Sequence, residues 1–269
     1  LSAIVPLVEV MGVATERLSK HLGSVVGGLL NSTLSNAPEL IIGIVALRNG
    51  LGRIVKASLT GSIMVNLLVG LGCALVIGTL KHGVHSFDRR QFRSSGLMLV
   101  MCGFCFIVPA VFRIGTPQGT RDLSLELSAI LLVIYVGNVL ITLLGSRHYA
   151  EDATPIVDDR KESYSASRSL AVLGLSGAML AFISEFATEA LIPATRVMGF
   201  SDTFSGIVLL GGVGGIGEVL TAVRFARQGQ QELVLAATVG STIQMVLFVA
   251  PLLVFTGLFL GEQMNLSFS

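Results

Sequence analysis

Residues 24–49, SVVGGLLNSTLSNAPELIIGIVALRN, decide the fold. As an α-helix rising ~1.5 Å per residue this stretch would span about 37 Å, enough to cross a bilayer. Yet it carries Asn31, Ser32, Thr33, Ser35, Asn36 and the carboxylate Glu39 near its centre. An ionised side chain at that depth costs roughly 3 kcal/mol or more, so the acid needs a reason. Pro38, just before it, removes one backbone donor and would clash with the Leu34 carbonyl, which predicts a kinked or opened helix beside the acid. Exposed carbonyls next to a carboxylate suit a hard cation. A polar helix–helix contact would explain the hydroxyls and Asn36 but leaves the glutamate without a role.

The rest of the chain has the same character. Of 269 residues, 52% are hydrophobic and 13% charged, and the mean hydropathy is +0.80. The apolar residues fall in runs separated by short charged loops, the pattern of an all-α, polytopic membrane helical bundle. Eight spans are expected, at 1–19, 24–48, 54–79, 93–113, 124–145, 168–197, 202–227 and 233–260. If each crosses, one side collects twelve of the eighteen Lys and Arg, in 17–23, 80–93, 146–168 and 224–232, and the positive-inside tendency assigns that side to the cytoplasm. The chain begins at Leu1 rather than Met and stops soon after an apolar run, so it reads as a fragment.

Several function classes lose their footing here. A net charge of +1, no Trp and 6% aromatics offer nucleic acid neither a basic face nor a stacking platform. No Ser/His/Asp set, P-loop or HExxH occurs, so neither an enzyme nor a bound cofactor is expected. Cys102-Gly-Phe-Cys105 reads as two small hydrophobes in an apolar helix, and His82 and His85 as a solvated loop.

The polar segment 146–168 mixes charge with Pro and Ser and reads as a cytoplasmic linker between a first transmembrane repeat, 1–145, and a second, incomplete one, 169–269. The halves resemble one another. Leu34-Ser-Asn-Ala-Pro-Glu39 is followed by Gly61-Ser62 and Asn66, and Val213-Gly-Gly-Ile-Gly-Glu218 by Gly240-Ser241 and Gln244. From Glu39 to Ser62, and from Glu218 to Ser241, the interval is 23 residues. An odd number of crossings separates the two acid-bearing spans, so the repeats are expected to be inverted in topology, with two half-sites meeting near mid-membrane. Pro38, Gly214, Gly215 and Gly217 are the expected helix breaks. Gly212 to Gly217 spells GxGxxG, but with no strand before it a dinucleotide reading fails. The span preceding each acid carries further acids on one face, Glu9 and Glu16 in one and Glu185 and Glu189 in the other. Glu16, beside Arg17, also reads as a solvated helix end.

Together, GGLLNSTLSNAPELIIGI, KASLTGSIMVNLLVGLG, the SEF at Glu185 and GSTIQMVLFVAPLLV resemble the calcium/proton exchanger family of the calcium/cation antiporters. Against that family's eleven spans, the chain looks as if it lacks the first and the last two. The resemblance implies that Glu39 and Glu218 form the central metal site with Asn36, and that Glu185, Ser62, Asn66, Ser241 and Gln244 are supporting or proton-linked; Glu16 and Glu189 join that outer set. It also exposes two departures, Gly215 where the family has Asn and Val219 where it has His.

The implied activity is secondary antiport of Ca²⁺, and of other divalent cations with it, against H⁺ by alternating access. Two carboxylates with amides, hydroxyls and freed carbonyls supply the six to eight oxygens that Ca²⁺ takes. Emptied of metal, the pair is expected to take up protons instead of remaining doubly charged. A Na⁺-coupled exchanger and a passive cation channel are the alternatives. The expected setting is the lipid bilayer, a plasma membrane in a bacterium or a vacuolar or other organellar membrane in a eukaryote, and a homo-oligomer is compatible with it.

Overall fold

The computed structural model describes residues 3–21, 33–83, 89–111, 117–149, 165–262 and 264–266. Within them all regular structure is helical: α1 Ile4–His21, α2 Ala37–Arg48, α3 Gly52–His82, α4 Arg89–Val111, α5 Pro117–Tyr149, α6 Ala166–Val197, α7 Asp202–Gly214, α8 Ile216–Arg227 and α9 Gln231–Leu260. Four of these, α3, α5, α6 and α9, are long and apolar enough to cross a membrane, and α7 with α8 makes a fifth as a pair bent by 47°. α1 and α4 contain shorter apolar stretches, Ile4–Thr15 and Phe92–Cys105. Leu80, Val133, Leu175 and Phe259 face outward on these helices, an arrangement that water would penalise and lipid does not. The chain is an integral membrane protein. Asn31, Ser32 and His85 lie outside the described residues, as do 150–164 of the expected linker; 146–149 of that segment continue α5, and 166–168 open α6.

The first helix break falls at Asn36, two residues before Pro38. A helical turn at 33–35 ends at Asn36 (φ −88°, ψ 5°), and α2 starts afresh at Ala37. Pro38 therefore sits in the first turn of α2, where N–H groups have no intrahelical acceptor and a proline costs nothing, so its expected clash with the Leu34 carbonyl does not arise. The second break is at Gly215 (φ −75°, ψ 0°), with Gly214 ending α7 and Gly217 in the first turn of α8. Each break stands three residues before an acid. His82 is likewise not a loop residue: it closes α3, its Nε2 lies 3.0 Å from the Arg227 carbonyl, and Lys81 Nζ donates to the same oxygen at 2.9 Å.

The core forms where small residues let helices touch. α1 packs on α6, α2 on α6 and the end of α9, the first half of α3 on α7, and α8 on the last third of α3. At the α3–α7 crossing a Cβ on Gly211 would lie 2.7 Å from the Ser58 carbonyl oxygen and 2.8 Å from the Ser62 amide nitrogen. The neighbours are backbone and cannot rotate away. Gly211→Val is therefore expected to cost at least the ~1–3 kcal/mol of an overpacked core. Thermal unfolding in detergent should show the loss, with Gly212→Val as a near-neutral control because nothing lies within 4 Å of its Cβ position. Tyr135 of α5 ties this core to the first break, bonding Thr33 Oγ1 at 2.6 Å and stacking on Phe248 of α9 at 4.8 Å.

Candidate functional site

Asn36 would ordinarily cap α2, but its side chain makes no cap bond. It turns instead to α9, where Nδ2 donates to Gln244 Oε1 at 3.2 Å and Oδ1 accepts from Ser241 Oγ at 3.1 Å. Ser241 Oγ also lies 3.4 Å from Glu218 Oε1, the longer of two contacts that share one hydroxyl proton. A polar chain thus runs from Gln244 through Asn36 and Ser241 to Glu218, joining the two halves of the sequence.

Glu39 lies on the far side of the second break. A Cβ on Gly214 would come 3.4 Å from Glu39 Oε1 and 3.5 Å from Ser62 Oγ, and Ser62 donates to the Gly211 carbonyl at 3.2 Å. Asn66, in a widened π-type turn of α3 at Val65–Gly70, stands against Gly215, whose Cβ position is 3.3 Å from Asn66 Oδ1. At the first break the amide belongs to the break residue itself. At the second, glycine occupies that place and the amide arrives from the neighbouring helix. Val219, the other departure from the family pattern, faces Gly70, whose Cβ position is 3.5 Å from Val219 Cγ2.

The two acids and the groups nearest them are buried, Glu39 at 7% exposed, Glu218 5%, Asn36 1%, Ser62 1% and Asn66 0%, while Gln244 is half-buried. Neither oxygen of Glu39 and neither amide atom of Asn66 has a hydrogen-bond partner. Each unmet buried polar group costs about 1–3 kcal/mol, and more if charged, so a cation or proton that met these oxygens would offset part of that cost. Glu39 and Glu218 each fall in the first turn of a short helix, where unpaired N–H groups and the helix dipole favour negative charge. Among the described residues no three His, Cys, Asp or Glu gather as metal ligands, so a cation here would meet two carboxylates and neutral oxygens. That donor set suits a hard divalent ion.

The remaining acids stand apart. On α6, Glu189 is exposed and Glu185 half-buried, without a side-chain hydrogen bond to the cluster. Gly177 lies beside Ile41, while Thr188 accepts from Asn49 Nδ2 at 2.8 Å. Counting ~1.5 Å per residue from those two levels puts Glu185 roughly 10–15 Å along the bundle from Glu39, towards the α2–α3 turn. Glu16 lies in the last turns of α1, and its side chain is outside the described set. Glu9 forms an exposed ion pair with Arg224 at 3.8 Å. Two features had no sequence signal strong enough to find: the Gly211 carbonyl as the Ser62 acceptor, and the packing of Val8 against Gly217, whose Cβ position is 2.7 Å from Val8 Cγ1.

Comparison with known proteins follows the same lines. The family described as sodium/calcium exchanger protein matches residues 1–144 and 168–269. The Ca²⁺/H⁺ antiporter ChaA of Bacillus subtilis (strain 168) is 34% identical over 270 residues, covering 99% of this chain and 77% of the relative. The Ca²⁺/H⁺ antiporter of Aphanothece halophytica is 33% identical over 285 residues, covering 99% and 76%. The solved structure of native YfkE superposes with a TM-score of 0.83 at 32% identity, covering 99% of this chain and 75% of that one.

Proposed function

This chain belongs to the sodium/calcium exchanger protein family, and on that premise we propose that it exchanges Ca²⁺ for H⁺ across a membrane, at a site built from Glu39 and Glu218. It is a transporter, not an enzyme. The observation that carries the proposal is the buried pair of carboxylates beside Asn36, Ser62 and Ser241, with no third His, Cys, Asp or Glu gathered there among the described residues and Glu39 without a hydrogen-bond partner. Relatives named Ca²⁺/H⁺ antiporters support H⁺ as the counter-ion.

In this reading Glu39 and Glu218 offset the charge of Ca²⁺ as substrate, and Asn36 contributes its amide oxygen. Ser62, Asn66, Ser241 and Gln244 hold or complete the oxygen cage, with Asn66 taking the part that a break-residue amide plays in the first half. When the metal leaves, protons replace it. Glu185, further along α6, relays protons to the pair, and Glu189 and Glu16 belong to the approaches at either end. Other divalent ions of similar hardness compete for the same oxygens.

We also infer eight crossings and two inverted-topology repeats, 1–145 and 169–269, joined by the linker 146–168. Contacts along the helices support the inversion. The start of α2 meets Ser241 and Gln244 and its Gly43 meets Leu253, so α2 runs alongside α9. The start of α8 meets Val65 and Asn66 and its end meets Lys81, so α8 runs alongside α3. The short turn at 49–51 makes α2 and α3 opposite in direction. α2 and α8 then oppose one another, bringing two half-helix starts to one depth, the geometry on which alternating access by rocking of repeats depends. A bacterial source would put the protein in the plasma membrane and a eukaryotic one in a vacuolar or other organellar membrane.

The test is uptake of radiolabelled Ca²⁺ by proteoliposomes holding the full-length protein, with an imposed pH gradient, an imposed Na⁺ gradient, or neither. Uptake driven by the pH gradient, with matching proton release, is expected. Uptake that needs Na⁺ would make the protein a Na⁺-coupled exchanger, and downhill flux with no pH change would make it a channel.

A further inference from the structure

Away from the carboxylates, a cavity of about 470 Å³ separates α1 from α6. The two helices run in opposite directions there, since Arg17 near the end of α1 and Arg168 near the start of α6 line one mouth, while Met11 and Gly177 meet further in. That mouth is at the arginine-rich end of the bundle, which the charge pattern assigns to the cytoplasm. Beyond it the walls are apolar, from Val10, Val13 and Ala14 on one helix and Val172 on the other. Counted from Arg17 to Pro6, the groove is about 16 Å long, roughly half of a ~30 Å hydrocarbon layer.

We propose that this groove holds an anionic phospholipid, its phosphate between Arg17 and Arg168 and one acyl chain along Val10, Val13 and Val172. Guanidinium groups from two helices converge on the headgroup level, and Arg pairs with phosphate through two parallel hydrogen bonds. Ser169, beside them in the lining, is 3% exposed, and its hydroxyl has no hydrogen-bond partner. It offers a phosphate oxygen one further donor. Leu170, Val172 and Leu175 face outward next to the groove at 59%, 39% and 72% exposure, so lipid reaches it sideways from the bilayer. A basic pocket between transmembrane helices, open to the inner leaflet, is a recurring arrangement for acidic headgroups.

Among the described residues that line the groove Glu9 is the one acid, and it pairs with Arg224 at 3.8 Å. The lipid assignment needs the protein only to lie in a membrane, so it stands or falls apart from the exchange reaction.

Native mass spectrometry of the full-length protein tests it. After delipidation in mild detergent, the protein is titrated with dioleoylphosphatidylglycerol or dioleoylphosphatidylcholine. The wild type should retain the anionic lipid at least about tenfold better than the zwitterionic one. The Arg17→Gln/Arg168→Gln double variant should lose that preference, and Val13→Phe, which fills the groove, should lose the lipid while keeping both arginines. The Arg89→Gln/Arg93→Gln variant removes charge on α4 at the same end of the bundle and should bind as the wild type does. Equal retention by wild type and the double variant, no preference between the lipids, or an unaffected Val13→Phe would each overturn the proposal. Displacement of the lipid by an equal concentration of glycerol phosphate would reduce the site to one for free phosphate anions and overturn the acyl-chain assignment.

Discussion

Glu39→Gln and Glu218→Gln should each abolish Ca²⁺ transport, with the protein still folded and inserted. Each exchange keeps the shape of the side chain and removes one of the two negative charges that, in the proposed site, offset the ion's own. Stripping one partner from a buried charge assembly typically costs about 3–5 kcal/mol, which converts to a loss of affinity of roughly a hundredfold or more. The unfolding temperature of the empty protein should stay level or rise, because a buried carboxyl must either hold a proton or carry an uncompensated charge, and each variant replaces one such group with a neutral amide. The two variants need not be equal. Glu218 has the Ser241 hydroxyl 3.4 Å away to meet a glutamine, whereas Glu39 has no hydrogen-bond partner. Glu39→Gln therefore leaves an amide with both ends unmet and should gain less thermal stability than Glu218→Gln. Transport assays in proteoliposomes and thermal unfolding in detergent check the pair, and wild-type flux from either variant would remove the two-carboxylate site.

The polar stretch at Asn36 and Glu39 and the equal interval to Ser62 and Ser241 made most of the cluster legible in the sequence. A buried acid repeated with one spacing has few explanations other than a shared site. What was not legible has physical causes. Pro38 signals a break beside the acid, but a proline is also at home in a first turn, and only the backbone reveals that the chain turns at Asn36 with Pro38 in the first turn of α2. The widened turns at Val65–Gly70, Ala236–Gly240 and Met245–Val249 leave no local signature, since their mix of Val, Gly, Leu and Ala does not differ from that of the other apolar spans. They nonetheless aim Asn66, Ser241 and Gln244. Gly215 looked like a missing ligand from sequence because the amide that stands against it, Asn66, belongs to another helix. Periodicity put Glu185 and Glu189 on one face of a span but carries no information on depth, and depth separates Glu185 from the cluster. The paired arginines of α1 and α6 are 151 positions apart, from 17 to 168, and meet only because the helices are antiparallel.

Competition between Ca²⁺ and H⁺ predicts the second large effect, an apparent Ca²⁺ dissociation constant that rises as pH falls. The sign follows from the donor set. In the proposed site a proton on Glu39 or Glu218 would occupy the oxygen that the metal needs and cancel the charge that attracts it, so the proton-bound site would be the weak binder and acid would shift the population towards it. Each proton displaced by the metal contributes up to about a tenfold change per pH unit, and two acids acting together set a ceiling of about a hundredfold. Because the two carboxylates share one cluster, they titrate as a pair, and the slope of log Kd against pH reports protons exchanged per ion rather than a property of either residue. Calorimetry from about pH 6 to about pH 8 should therefore give a negative slope of log Kd against pH, no steeper than about −2. Glu185 provides an internal control, because it lies along α6 without a hydrogen bond to the cluster. Glu185→Gln should slow exchange while leaving the equilibrium affinity and its pH slope close to those of the wild type. A flat wild-type profile would exclude direct competition and leave Na⁺ coupling or passive conduction. An equal loss of equilibrium binding in Glu185→Gln would move that acid from the proton route into the metal site, with α6 bent or shifted along its axis to bring it there.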